Sequence, residues 1–64
     1  MVPNAAALAE GFVPARADEV LPGDVLWDER YGRRPVEPVA LPDGRVLIGV
    51  DLYGPGVRVY RLPR

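Results

Sequence analysis

The sequence predicts a small all-β domain in which five short strands form a barrel. Three observations lead to this prediction. The chain has 64 residues, enough for a single domain. Its seven glycines and eight prolines are spread singly between apolar runs, where they mark turns. Leu, Ile, Val and Phe make up 19 of the 64 residues, which is above the range of disordered chains.

The first eleven residues predict an N-terminal tail or short helix, followed by a barrel over 12–64. Asn4 is a favourable N-cap for a helix over 5–10, and Gly11 suits the position after the helix end. Two turns of helix are marginal alone, so the sequence leaves open whether this segment packs or frays. The N-terminal residues carry no positive charge and no long apolar run is present. The sequence therefore predicts that the chain has no signal peptide and no membrane contact.

Five strands are expected in the remainder of the chain. Pro14 restricts the first strand to a sheet edge, because proline cannot donate a ladder hydrogen bond. The charged stretch 28–34 is interpreted as an exposed loop. The clearest alternation places the even-numbered residues of 46–52 on one face, with Gly49 as the point where the strand bends. The predicted strands are 12–15, 25–27, 36–41, 45–52 and 57–62.

Turn-forming residues separate these strands at three places, 21–24, 42–44 and 53–56. Asp43-Gly44 is the strongest of the three, because a hairpin turn needs the positive φ that glycine supplies. Residues 17–20 are expected to form a further tight turn.

Residues 17–26 read Ala17-Asp18-Glu19-Val20-Leu21-Pro22-Gly23-Asp24-Val25-Leu26. This segment resembles the A-x-E-L-x-P-G-D-V-V opening of small SH3-like β-barrel proteins of actinobacteria and their phages. The resemblance implies a five-stranded SH3-like barrel over residues 12–62. It also implies a binding function, since such barrels mostly bind proteins, peptides or nucleic acids. All eight basic residues are arginine, a bias typical of GC-rich coding that agrees with this source.

The missing residue types argue against catalysis. The chain contains no Cys, His, Lys, Ser or Thr, so it lacks the common side-chain nucleophiles and a proton shuttle for neutral pH. The usual ligands of zinc are absent as well, and the carboxylates show no calcium-loop spacing. We therefore expect no enzyme activity, no metal and no cofactor. The absence of cysteine agrees with a cytoplasmic location.

Charge is distributed unevenly along the chain. Residues 1–29 contain one arginine and six acids, a net charge of −5, whereas residues 30–64 contain seven arginines and three acids, a net charge of +4. Arginines interleaved with tyrosines can stack on bases or bind phosphates and carboxylates. The same arginines can instead pair with the acidic half of the chain, and the sequence leaves these alternatives open.

The function expected from these observations is that of an interaction module binding another protein. Tyrosine anchors on a loop rim would combine with arginine forks to partner carboxylates. The alternative is a nucleic-acid-binding barrel that uses the arginine-rich C-terminal half, and self-association also remains open. For Trp27, and for Tyr53 at one end of the barrel, packing inside the domain is the competing interpretation. The candidate binding residues are Tyr31, Arg33, Arg34, Tyr53, Pro55, Arg58 and Tyr60.

Overall fold

A computed structural model describes residues 4–64 and contains one short helix, a 3₁₀ turn and seven short strands. The strands form two antiparallel sheets. The four-stranded sheet has the order β1-β7-β2-β3, and the three-stranded sheet has the order β4-β5-β6. The elements are α1 (Ala5–Ala9), β1 (Val13–Arg16), the 3₁₀ turn (Ala17–Glu19), β2 (Val25–Asp28), β3 (Gly32–Pro35), β4 (Val39–Ala40), β5 (Val46–Ile48), β6 (Asp51–Tyr53) and β7 (Arg58–Arg61).

The all-β class is confirmed, with a different number and arrangement of strands. Seven strands are present where five were expected, and no ladder within residues 4–64 joins the two sheets into a closed barrel. The difference comes mainly from two places. A segment expected to be a loop forms β3, and a segment expected to be one strand forms both β5 and β6.

The β3 strand corrects the expectation of an exposed loop over 28–34. Gly32–Pro35 pairs with β2, which places Arg33 opposite Trp27 and Arg34 opposite Leu26. Because β3 is an edge strand, its charged side chains reach solvent while its backbone still completes the sheet. Hydrophobic patterning therefore could not detect it.

The long strand expected over 45–52 is interrupted by a chain reversal. Val46 and Ile48 lie on one face of a strand, as predicted, and both are buried, but Gly49 has a φ of +65° and begins a two-residue turn. A glycine with positive φ at the first central position is the mark of a type II′ hairpin turn. Gly49 is thus a bend, as expected, but the bend reverses the chain and leaves Val50 exposed.

The other turns follow the prediction more closely. At Asp43-Gly44 the chain reverses between β4 and β5, with Gly44 at a φ of +91° and the Leu41 N–H donating to the Arg45 carbonyl at 2.8 Å. The stretch 17–20 is a 3₁₀ turn in which the Glu19 carboxylate accepts the Arg16 backbone N–H. Strand 36–41 shrinks to β4, because Pro38 has no N–H to donate.

The main core lies between the two sheets. It consists of small and branched side chains that alternate inward from β2, β5 and β7 and from the connecting segments. Ala15 and Tyr53 pack against its margin. The buried members are Ala17, Val20, Leu26, Val36, Val46, Ile48 and Val59.

The helix packs on the domain, which resolves the question that the sequence left open. The Asn4 side chain caps α1 by accepting the Ala7 N–H, and Gly11 follows the helix end with a φ of +88°. Ala7 and Phe12 are buried against the outer face of the four-stranded sheet, where the Phe12 ring meets Trp27 edge to face at 5.6 Å. No helix within residues 4–64 has the length and apolarity needed to cross a bilayer.

Candidate functional site: a surface formed by two hairpin tips

Two hairpins carry the most exposed large apolar side chains of the described residues. Tyr31, at the β2–β3 turn, is 71% exposed, and Val50, at the β5–β6 turn, is 91% exposed. Both side chains line the same open concavity, together with charged neighbours. We call this region the hairpin surface, and its residues are Asp28, Glu29, Arg30, Tyr31, Arg34, Val50 and Asp51.

Local hydrogen bonds fix the β2–β3 tip. The Asp28 carboxylate accepts the backbone N–H of Arg30 at 2.7 Å and that of Tyr31 at 3.0 Å. These two N–H groups lower the pKa of Asp28, with a smaller contribution from the Arg34 guanidinium. Gly32, the first residue of β3, pairs with Asp28 and has a φ of +76°, a conformation that favours glycine. The rigid tip holds the Tyr31 ring in solvent.

Arg34 connects the two hairpins. Its Nη1 lies 3.4 Å from the Asp28 carboxylate on its own hairpin. Its guanidinium also lies against Gly49 of the other hairpin, so closely that an added Cβ would come within 3.1 Å of Nη2. The positive φ favours glycine at Gly49, and a larger residue there would also displace the end of the Arg34 side chain slightly.

Of the seven candidate binding residues, only Tyr31 and Arg34 lie on the hairpin surface. Arg33 is the neighbour of Arg34 on a strand, so the two side chains leave opposite faces of the sheet. The Arg33 guanidinium lies 5.9 Å from the Phe12 ring centre and 3.7 Å from the Glu10 carboxylate. Arg33 thus links β3 to Glu10 and Phe12, which follow α1 in the chain.

The two remaining tyrosines are half-buried. Tyr53 packs against the main core, and burial is the largest cause of its raised pKa. Tyr60 accepts a hydrogen bond from the Asn4 backbone N–H at 3.3 Å through its hydroxyl oxygen. Packing inside the domain, the competing interpretation for Tyr53, agrees with these positions.

The last two candidates lie on another part of the surface. Pro55 accepts the Asp18 N–H through its carbonyl in the β6–β7 connection. Arg58 lies opposite Arg16 on the paired strands β7 and β1. The single rim expected from the sequence is therefore divided into three separate regions.

Val50 is the residue that the sequence analysis missed. Its position in an alternating apolar series placed it within a strand, on the same face as Val46 and Ile48. The dipeptide Gly49-Val50 also fits a type II′ turn, in which glycine takes the first central position. This dipeptide was therefore the feature of the sequence from which an exposed side chain at position 50 could have been predicted.

The arginines are distributed rather than clustered. Five of the eight pair with carboxylates within 4.0 Å, and three of these pairs join an acid from residues 4–29 to an arginine from residues 30–64. The most buried acid in a pair is Asp24, which Arg64 contacts at 3.0 Å. Within the described part of the chain, no cluster of three or more Asp or Glu side chains is placed to hold a metal ion.

No protein-family model matches this chain, and comparisons with curated proteins and with solved structures find no match either.

Proposed function

We propose that this protein is a non-catalytic interaction module that binds another protein through the hairpin surface. The observation that carries the proposal is the pairing of Tyr31 and Val50, two large apolar side chains exposed by rigid turns at one concavity. Exposed apolar anchors inside a charged rim are typical of protein–protein contact sites. Arg34 and Arg30 supply donors that suit carboxylates on the partner.

Pre-organisation supports this proposal. Both turns are fixed by glycines with positive φ, and the β2–β3 tip is further held by the Asp28 carboxylate. An anchor already held in place loses little conformational entropy when a partner binds. The hairpin surface therefore has the properties of a preformed recognition site.

The nucleic-acid alternative has weaker support. Five of the eight arginines already have a carboxylate neighbour, and the net charge of the chain is −1. Binding through phosphates requires a concentrated positive patch. Arg30, Arg58 and Arg61 form no ion pair within residues 4–64, but they do not make one patch: Arg30 lies in the β2–β3 turn, and Arg58 and Arg61 lie three positions apart on β7, so their side chains leave opposite faces of the strand.

We also propose that the two sheets are an open variant of the small SH3-like barrel. The segment 17–26, with its Pro-Gly-Asp entry into β2, supports this interpretation. By the same resemblance the chain would be a small cytoplasmic accessory protein of an actinobacterium or its phage.

The test compares affinity capture by three immobilised forms in lysate of the organism that encodes the chain. The double variant Tyr31→Ala/Val50→Ser removes both anchors, whereas Leu21→Ser alters an apolar side chain that is also exposed, at 51%, but lies elsewhere. We expect the same protein to be retained by the wild type and by Leu21→Ser, and at least about tenfold less by the double variant. Equal retention by all three forms would contradict the proposal.

A salt titration with single- and double-stranded DNA, followed by fluorescence anisotropy, distinguishes nucleic-acid binding from protein binding. Tight binding with a steep negative slope of log affinity against log salt would favour nucleic acid over protein.

A further inference from the structure

The two sheets have four outermost strands, and three of them carry features that block edge pairing. β1 contains Pro14, β3 contains two arginines and ends at Pro35, and β4 is only the dipeptide Val39–Ala40. Proline, basic side chains and shortness are the usual protections of a sheet edge. β6, Asp51–Tyr53, has neither proline nor a basic residue; it is one residue longer than β4 and carries a single acidic side chain, Asp51, which makes it the least protected of the four edges.

Hydrogen-bonded and non-hydrogen-bonded residue pairs alternate along the β5–β6 hairpin, and this alternation shows which backbone groups of β6 point away from β5. Ile48 and Asp51 flank a two-residue turn, and such a pair exchanges both backbone hydrogen bonds. The next pair, Leu47 and Leu52, is therefore of the non-hydrogen-bonded type, and both the N–H and the C=O of Leu52 point away from β5. No backbone hydrogen bond to Leu52 from a loop or turn of residues 4–64 covers this edge.

An apolar row ends at the same edge. Val39, Leu47 and Leu52 are direct neighbours across β4, β5 and β6, on the face opposite the buried Val46. Val39 is 50% exposed and Leu52 is 51% exposed. The row crosses the outer face of the three-stranded sheet and stops where the backbone of β6 has free donors and acceptors.

We propose that β6 pairs with β6 of a second copy of this chain, antiparallel and centred on Leu52. The Leu52 N–H of each copy donates to the Leu52 carbonyl of the other, so that two three-stranded sheets become one sheet of six strands. The apolar rows of the two copies then join into a continuous row.

The residues that this register brings together are compatible with each other, which supports a second copy as the partner. With Leu52 on the two-fold axis, Asp51 lies opposite Tyr53 of the second copy, and Val50 lies opposite Gly54. No two like charges face each other, as a stable cross-strand arrangement requires. A 64-residue domain also gains buried surface that its own core cannot supply.

The experiment is sedimentation velocity on the purified full chain over a dilution series, with two matched variants. Leu52→Arg places two positive charges opposite each other at the axis, whereas Val39→Arg adds the same charge to the same face at the opposite edge. We expect a concentration-dependent dimer for the wild type and for Val39→Arg. Leu52→Arg should weaken dimerisation by about tenfold or more.

Three outcomes would overturn the proposal. A wild type that is monomeric up to millimolar concentration has no such interface. Dissociation by Val39→Arg alone would place the contact at β4, and equal dissociation by both variants would indicate packing of the whole outer face. Circular dichroism controls for folding, and if Leu52→Arg unfolds, amide exchange of Leu52 in the wild type decides. Because the purified chain is used alone, failure here leaves the capture experiment on the hairpin surface unaffected.

Discussion

The outer faces of the two sheets differ in what covers them. On the four-stranded sheet, α1 and the following Phe12 cover the outer face that carries Trp27, which we call the aromatic face. Arg33 adds to this cover by contacting both the Phe12 ring and Glu10. On the three-stranded sheet, no helix of residues 4–64 covers the apolar row that ends at Leu52: Val39 is 50% and Leu52 51% exposed, and residues 34–37 only line an open concavity beside Val39 and Leu47. The comparison indicates that the aromatic face contributes to stability, whereas the uncovered face and the adjacent hairpin surface are available for binding.

The largest effect expected from this comparison is that of Phe12→Ala. Phe12 is 1% exposed and contacts Trp27 and Arg33. Its removal leaves a cavity under the helix and should lower the free energy of unfolding by about 3 kcal/mol or more. Urea denaturation followed by Trp27 fluorescence measures the loss. Leu8→Ala, on the exposed side of α1, should change the stability far less; equal losses would show that the helix does not cover a core.

An intermediate effect is expected at Asp24, which joins the chain's C-terminal end to the turn before β2. The Arg64 guanidinium lowers the pKa of this buried carboxyl most, followed by the Leu21 N–H. Because the pKa in the folded state lies below that of the unfolded chain, the stabilisation is present above about pH 4 and is lost as pH falls through the folded-state pKa.

Asp24→Asn should therefore cost about 1–2 kcal/mol at neutral pH and flatten the acid side of the stability curve. Asp43→Asn is the matched control, since Asp43 and Arg45 form a solvent-exposed pair whose contribution to stability is expected to be smaller. Urea titrations between pH 2 and pH 7 compare the two variants. An unchanged acid slope in Asp24→Asn would exclude the assigned role of this carboxylate.

The smallest effect is expected on the uncovered face. Leu52→Ser removes a half-exposed side chain, so at dilutions where the chain is monomeric its stability should stay within about 0.5 kcal/mol of the wild type. Val39→Ser should behave alike. A loss as large as that of Phe12→Ala would mean that this face is part of the folding core.

Sequence reasoning predicted those features whose cause is local. The cap at Asn4, the turn at Asp43-Gly44 and the edge position of Pro14 each follow from the chemistry of one or two residues. The exposed position of Tyr31 was also predicted. Features with a non-local cause were missed, because their stabilising contacts come from distant parts of the chain.

Two examples show this. Arg33 belongs to a strand because Trp27 lies opposite it in the ladder and Phe12 lies under its guanidinium, and neither contact is visible in a charged stretch of sequence. Val50 continues an apolar alternation perfectly, yet the turn at Gly49 moves it to the surface, where Arg34 from another hairpin lies against the glycine.

Amide hydrogen exchange of Leu52, followed by NMR over a dilution series of the wild-type chain, tests the difference between the two faces most directly. If β6 pairs with β6 of a second copy, the Leu52 N–H is protected from exchange at high protein concentration, and its protection falls on dilution. Amides of β7, inside the four-stranded sheet, should stay protected throughout. A Leu52 amide that exchanges freely at every concentration would contradict the pairing of β6 with a second copy.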